Sequence, residues 1–178
     1  TDRKNNTNST FNFDGNTYIT IPDANSLDMS TNELSISMWV KISTTNSVGY
    51  RLIDKATPNT PNSGYSFDSY SGTQGTGMRL TAIGNNVTLP YLDFSYSLNQ
   101  WHHLVVTYTG GNSRFYLNGV FVGGSYHSGT PSIKNMNLPL IIGASNNTYS
   151  FKYRGQMDDI RLYNRAITET EIEALFLE

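Results

Sequence analysis

The chain has 178 residues, of which 37% are hydrophobic and 15% are charged, and its formal net charge is −2 at pH 7. With 12 Lys and Arg against 14 Asp and Glu, it lacks the basic surface that nucleic-acid binding requires. The absence of cysteine excludes disulfides and thiolate chemistry. No apolar run approaches the ~18 residues of a membrane span. The length suits one globular domain with a buried core.

The polar residues are mostly small and uncharged. The sequence contains 20 Asn, 20 Thr and 19 Ser, a composition that favours β-strands joined by turns. Such polar surfaces are common on secreted proteins, and an extracellular β-protein without cysteine is more typical of bacteria than of animals. We therefore expect a secreted or cell-surface protein of bacterial origin.

The predicted elements begin after a polar start. Residues 1–10 contain no hydrophobic side chain and are expected to form a flexible lead-in, so the single domain covers residues 11–178. Alternating hydrophobic and polar residues then predict strands separated by Gly, Pro and Asn turns. In chain order, the predicted strands cover residues 11–13, 18–21, 34–40, 51–55, 65–70, 78–83, 87–89, 101–108, 114–118, 120–122, 138–142 and 157–163. Strands at this spacing are typical of a sandwich or jelly roll.

One short helix is predicted at the C-terminal end. Thr168 and Glu171 have the spacing of a capping box. A helix of eight or nine residues is marginal alone. We therefore expect Ile172, Leu175 and Phe176 to pack against the sheets.

Five segments in order resemble one known family: residues 13–15 (FDG), 36–40 (ISMWV), 101–108 (WHHLVVTY), 115–119 (FYLNG) and 155–167 (GQMDDIRLYNRAI). Together they resemble the laminin G-like branch of the concanavalin A-like lectin/glucanase superfamily. The resemblance implies an all-β jelly-roll sandwich of two antiparallel sheets, each of about six or seven strands, with the short C-terminal helix. This fold hosts lectins, carbohydrate-binding modules, adhesion modules and glycosidases, so function must be argued from the site.

Paired carboxylates for glycoside cleavage are not evident in the sequence. Four of the five glutamates lie in the terminal helix and tail. Asp158 and Asp159 are adjacent, so on a strand they point to opposite faces and cannot act on one bond. Asp68 and Asp93, which lie on separate segments, remain a formal possibility for a catalytic carboxylate pair. We predict that the chain is not an enzyme.

The aspartates suggest a metal site instead. If Ile160 and Leu162 face the core, then period-two alternation places Asp158 on the same inward face. A buried carboxylate needs partners, either hydrogen bonds from backbone amides and an arginine or a bound cation. The resemblance implies a structural calcium ion, with Asp158 as side-chain ligand and further oxygens from Asp14, Gly15 and Asn16.

Sugar binding requires a flat aromatic ring beside hydrogen-bonding groups, and the chain has 12 tyrosines. One candidate surface is the concave face of a sheet, with Trp39, Ser66, Asp68, Tyr70, Arg79 and Thr81. Two of these have an alternative role. Trp39 matches a packing tryptophan of the family, and Arg79 could form a simple cross-strand ion pair with Asp68.

A second candidate surface is formed by loops at one edge of the sandwich. It comprises Tyr126 and His127 in one loop, and Asn146, Asn147 and Tyr149 in another. Solvated turns have the same composition. The alternative that these residues form ordinary turns without a ligand therefore stays open. His102 and His103 face opposite sides of a strand and cannot chelate one metal, which favours a structural role for both.

The sequence therefore predicts a non-catalytic carbohydrate-binding module whose partner is a polysaccharide or glycan. Such a module would hold a tethered catalytic domain or a cell against its target. A protein-interaction or adhesion module is the alternative function, and a structural spacer without a glycan ligand is another.

Overall fold

The computed structural model describes residues 1–7, 9–29, 32–44, 49–57, 64–70, 77–83, 92–93, 96–126, 132–146 and 149–178. Within this part the chain forms two six-stranded antiparallel sheets and one short C-terminal helix. The predicted all-β jelly-roll sandwich is confirmed. The strand predicted over 87–89 lies outside the described residues.

Sheet A has the strand order β1-β12-β3-β8-β9-β10, and sheet B has the order β2-β11-β4-β5-β6-β7. The strands of sheet A are β1 (Phe11–Asp14), β3 (Leu34–Ile42), β8 (Trp101–Thr109), β9 (Asn112–Leu117), β10 (Val120–Tyr126) and β12 (Arg154–Tyr163). Those of sheet B are β2 (Ile19–Ile21), β4 (Arg51–Ala56), β5 (Gly64–Tyr70), β6 (Gly77–Ile83), β7 (Leu92–Asp93) and β11 (Leu140–Ile142). A 3-10 turn covers Asn25–Leu27.

The main core lies between the two sheets. Alternate residues of β3, such as Ile36, Met38 and Val40, meet Phe67 and Leu52 of sheet B in one buried cluster. Because side chains alternate along a strand, the residues between them point to the outer face of each sheet. These two outer faces carry the candidate sites.

The C-terminal helix α1 (Glu169–Leu177) covers part of the outer face of sheet A. Its predicted capping box is present: the Thr168 hydroxyl accepts the Glu171 N–H, and the Glu171 carboxylate accepts the Thr168 N–H. Ile172 is fully buried against Val105 and Tyr116. This packing stabilises a helix too short to persist alone.

The segment before β1 also packs on sheet A, although it was expected to be a flexible lead-in. The Asp2 carboxylate accepts the N–H groups of Lys4 and Asn6 at 2.9 and 2.7 Å. Arg3 pairs with Asp159 at 2.8 Å. The contacts of this segment are polar, so hydrophobic patterning gave no sign of them.

A bulge in β12 changes the predicted direction of Asp158. The pairing with β3 shifts between Asp158 and Arg161, and Asp159 has a positive φ of 46°. Met157 therefore faces the core, and Asp158 lies opposite Trp39 on the outer side of sheet A. The prediction that Asp158 points inward was wrong because simple alternation does not continue through a bulge.

Candidate functional site

Two exposed aromatic rings stack at the β2 end of sheet B, and a third exposed ring is carried by the loop of one of them. The Tyr18 and Tyr149 rings stack with centroids 4.6 Å apart and an interplanar angle of 14°. Phe151 lies two residues further along the same loop. The three side chains are 39%, 40% and 41% exposed, respectively. We call Tyr18, Tyr149 and Phe151 the aromatic platform.

The loop that carries Tyr149 and Phe151 is held in an unusual backbone conformation. Tyr149 and Phe151 have φ angles of 49° and 50°, in the left-handed region that bulky residues rarely adopt. The loop is closed at its base, where the Ser145 N–H donates to Ser150 O at 2.8 Å. The Arg51 N–H donates to Phe151 O at 2.8 Å and ties the loop to β4. Such strain persists where the surrounding structure imposes it, and it is concentrated at functional sites.

A buried polar network supports the platform from below. The backbone N–H of Asn146 donates to the Asp54 carboxylate at 3.1 Å. The guanidinium of Arg51 pairs with Asp68 and lies 3.5 Å from Asp54. The same guanidinium lies 5.3 Å from the centroid of the Phe151 ring. One arginine therefore joins two carboxylates to a platform ring.

Burial raises the pKa of Asp54 from 3.8 to about 6, against the opposing effects of Arg51 and of N–H donors. Asp68, on the neighbouring strand, is fully buried. Two carboxylates on facing strands are the arrangement that glycosidases use. Here the Arg51 guanidinium contacts both, and each is under 10% exposed, so neither presents a free carboxylate to a glycosidic bond. The network is suited to positioning the loop.

Trp39 lies far from this surface. It is on the outer side of sheet A, where Phe176 of α1 stacks on its ring at 5.7 Å and the Arg3 guanidinium lies 4.7 Å from it. Only 9% of the residue is exposed. The structure thus separates Trp39 from the other predicted face residues and covers the ring that sugar stacking would need.

The remaining predicted face residues are in β5 and β6 of sheet B. Ser66 and Asp68 point to the outer face but are buried, and Asp68 pairs with Arg51. Arg79 is opposite Asp68 in the strand register, as predicted. The side chains of Arg79, Tyr70 and Thr81 lie outside the described part of the chain.

The two predicted loop groups separate in the structure. Asn146 and Tyr149 belong to the platform loop, where both Asn146 amide contacts, to Pro139 O and Asp54 O, are internal. Tyr126 ends β10 on the other sheet and lines a groove of about 500 Å³ with Phe121, Arg114 and Asn112. We call this the β9–β10 groove. His127 and Asn147 lie outside the described residues.

The predicted calcium ligands do not converge. Asp14 is opposite Arg154 in the register of β1 and β12, whereas Asp158 is four residues further along β12. That separation is roughly 13 Å at the usual strand rise. The Asp14 carboxylate instead accepts the N–H groups of Asn16 and Thr17, which lower its pKa.

No three His, Asp or Glu side chains form a metal-binding group in the part of the chain that the structure describes. Asp14, Gly15, Asn16 and Asp158 therefore do not fit one ion in this arrangement. Calcium binding by the chain stays a prediction.

His102 makes its hydrogen bond on the inner side of sheet A, and His103 makes its own on the outer side, beside Trp39. His103 lies 2.9 Å from the Ser37 hydroxyl, and His102 lies 2.9 Å from Ser97 O. Burial lowers the pKa of His103 to about 4. Ser37 and His103 are each 1% exposed, so a substrate cannot reach this pair as a nucleophile and its base. Their placement agrees with a structural role.

The sequence interpretation missed Arg51, Asp54, Tyr18 and Phe151 at the platform, and Phe121 and Arg114 at the groove. The sequence pattern places Tyr18 and Phe121 within predicted strands and gives no indication of a site. A signal for Arg51 was available, because a strand that reads Arg-Leu-Ile-Asp places charged groups where the alternation expects an apolar row. The pairing of Arg51 with Asp68 depends on the register of β4 and β5.

Comparison with known families identifies the class of the protein. The laminin G-type family model of the concanavalin A-like lectin/glucanase superfamily matches residues 13–173. The chain belongs to this superfamily. No curated protein matches the sequence.

Several solved structures share the fold. The binding domain of Paraclostridial mosquitocidal protein 1 aligns with a TM-score of 0.71 and 19% identity, covering 94% of this chain and 42% of that one. Domain 4 of AbnA, an extracellular arabinanase of Geobacillus stearothermophilus, solved in complex with arabinotriose, aligns with a TM-score of 0.65 and 20% identity. That match covers 93% of this chain and 75% of the domain.

A mutant sialidase of Trypanosoma rangeli with trans-sialidase activity also aligns, with a TM-score of 0.58 and 18% identity, covering 82% of this chain and 23% of the sialidase. The chain thus spans less than half of the mosquitocidal binding domain and about a quarter of the sialidase. At these identities the likeness shows the fold alone.

Proposed function

We propose that this chain is a non-catalytic carbohydrate-binding module and that the aromatic platform is its sugar-binding surface. The single observation that carries the proposal is a strained, pinned loop that presents the exposed rings of Tyr149 and Phe151, with Tyr18 stacked on Tyr149. Exposed aromatic rings on loops offer flat apolar faces to the C–H side of a sugar ring. Loops fixed on a rigid scaffold are where binding residues concentrate.

Three features of the platform support this role. Stacking holds the Tyr18 and Tyr149 rings in place, so little side-chain entropy is lost when a sugar packs against them. Tyr18 and Tyr149 are both about 40% exposed, so a ligand can reach them. The buried network of Arg51, Asp54 and Asp68 fixes the loop before the ligand arrives.

A site with one or two stacked sugars and a few hydrogen bonds binds weakly. We expect dissociation constants between micromolar and millimolar, equivalent to about 4 to 8 kcal/mol. Weak sites are effective when the module is tethered to a catalytic domain or a cell surface, because tethering raises the effective concentration. Secretion or display at the cell surface follows from this role. The described helices include none with the length and hydropathy that a membrane span needs.

The proposal is tested with a panel of immobilised plant and bacterial polysaccharides. We expect at least one to retain the chain and Tyr149→Ala or Phe151→Ala to abolish retention. Phe11→Ala is the matched control, since Phe11 is an exposed aromatic residue in β1, a strand of the other sheet. If no polysaccharide retains the chain and the chain captures a protein ligand, an adhesion module would be favoured. Retention that survives loss of the platform rings would refute the proposed site.

A further inference from the structure

The β9–β10 groove has aromatic walls of its own. Phe121 is 46% exposed and Tyr126 is 62% exposed, and both point to the outer face of sheet A. The volume of about 500 Å³ is within the range of small-molecule sites. Tyr116 is buried beneath this surface and braces Phe121 with an edge contact at 5.5 Å. At least one wall is therefore fixed before a ligand enters.

The floor of the groove is open because a glycine lies between the two rings in β10. Gly124 pairs with Arg114 in the register, and Tyr126 pairs with Asn112. A Cβ atom on Gly124 would collide with the carbonyl oxygen of Ser113, so a larger residue cannot be accommodated without moving the strand. The floor therefore exposes backbone, with the Asn112 amide beside it.

Arg114 gives the groove its charge. It is the single charged side chain among the described residues that line the groove. Its guanidinium carbon lies 4.5 Å from the centroid of Phe121, and one of its nitrogens lies 2.6 Å from the carboxylate of Glu169. Arginine binds planar carboxylates through two parallel hydrogen bonds.

The contact between Arg114 and Glu169 can be exchanged at low cost. The two side chains are 47% and 64% exposed, and water and salt screen an ion pair of that kind. Glu169 is also the first residue of α1, where a negative charge is favoured by the helix dipole whether or not Arg114 contacts it. A ligand carboxylate can therefore take the place of Glu169 while the charge of Arg114 stays paired.

We propose that the β9–β10 groove binds a carboxylate-bearing sugar, such as a hexuronate unit, with the sugar ring between Phe121 and Tyr126 and its carboxylate on Arg114. The groove is a second site, independent of the platform. It lies at the β10 end of sheet A, and β10 contacts β7, which is the strand at the far end of sheet B from β2. Two sites on opposite edges would allow the module to bridge two polysaccharide chains.

The test uses calorimetric titration of the 178-residue chain with trigalacturonate and with its methyl ester, which has the same rings but no charge. We expect the acid to bind more tightly. Arg114→Gln should weaken binding of the acid roughly tenfold and leave the ester almost unchanged. Glu169→Gln should strengthen binding of the acid by about two- to five-fold, because it removes the internal competitor. Tyr126→Ala should weaken both ligands.

The controls separate this proposal from the platform proposal. Arg114 and Glu169 are surface residues, and an unchanged circular dichroism spectrum shows that their variants fold. Tyr149→Ala should leave titration of the acid unchanged. If Tyr149→Ala abolishes binding of the acid and Arg114→Gln does not, the groove proposal fails while the platform proposal stands. Equal affinity for acid and ester, or no heat from either at millimolar concentration, also overturns it.

Discussion

Replacing Asp54 by Asn should change how the stability of the protein depends on pH. In the folded protein burial raises the Asp54 pKa to about 6, from 3.8. Each pKa unit corresponds to about 1.4 kcal/mol, so ionising Asp54 inside the fold costs about 3 kcal/mol. The folded state binds this proton more tightly than the unfolded state. This residue therefore favours folding fully below pH 3.8, and that contribution is lost as pH rises through 6.

His103 has the opposite effect in almost the same range. Burial lowers its pKa from 6.5 to about 4. Between these values the unfolded state binds more protons, so this residue makes stability rise with pH by a similar ~3 kcal/mol. The two effects oppose each other in the unmodified chain, so its stability should change less between pH 4 and 6.5 than that of a variant that lacks either group. Burial also raises the pKa of Asp158. The unmodified chain and Asp54→Asn both contain Asp158, so its effect on stability is common to the two.

The assay is urea unfolding of the unmodified chain and of Asp54→Asn at intervals from pH 4 to pH 8. We expect the free energy of unfolding of Asp54→Asn to rise by about 3 kcal/mol across this range, because the effect of His103 is no longer opposed. His103→Gln is the matched control, and its profile should fall with pH. A stability difference between Asp54→Asn and the unmodified chain that is the same at every pH would refute the reasoning.

Three further predictions use simpler measurements. Trp39→Ala removes a ring packed between Phe176 and Arg3 and should lower the free energy of unfolding by about 3 to 5 kcal/mol. The folded variant should still be retained by the polysaccharide. Loss of retention at unchanged stability would show that Trp39 belongs to the binding surface. The predicted calcium ion is tested by measuring the melting temperature in calcium and in EDTA: a bound ion should raise it by several degrees, and an unchanged value would remove the ion from the account. Incubation with any polysaccharide that binds should release no sugars, and release that stops in Asp68→Asn would establish an enzyme.

Much of the fold could be predicted because alternation is a strong local signal. Strands such as β3 and β8 alternate over nine residues each, and their core faces follow from that pattern. The capping box of α1 is equally local, since Thr168 and Glu171 are three residues apart. The family resemblance added the division into two packed antiparallel sheets, but the order of the strands within each sheet did not follow from the sequence.

The candidate sites were harder to predict because they depend on irregular backbone and long-range register. A one-residue bulge at Asp159 reversed the direction expected for Asp158, and nothing in the neighbouring residues marks it. Asp68 pairs with Arg51 from β4, a partner that the sequence did not indicate, while Arg79 of β6 lies opposite Asp68 in the register, as the sequence suggested. Tyr149 was predicted as a loop aromatic residue, but its stacking partner Tyr18 is 131 residues away in the chain.

The platform is tested most directly by a crystal structure of the chain soaked with the neutral oligosaccharide that it retains best. We predict density for a sugar ring stacked on Tyr149 or Phe151, with an intact glycosidic bond. An oligosaccharide bound elsewhere on the module, with the three platform rings bare, would contradict the account.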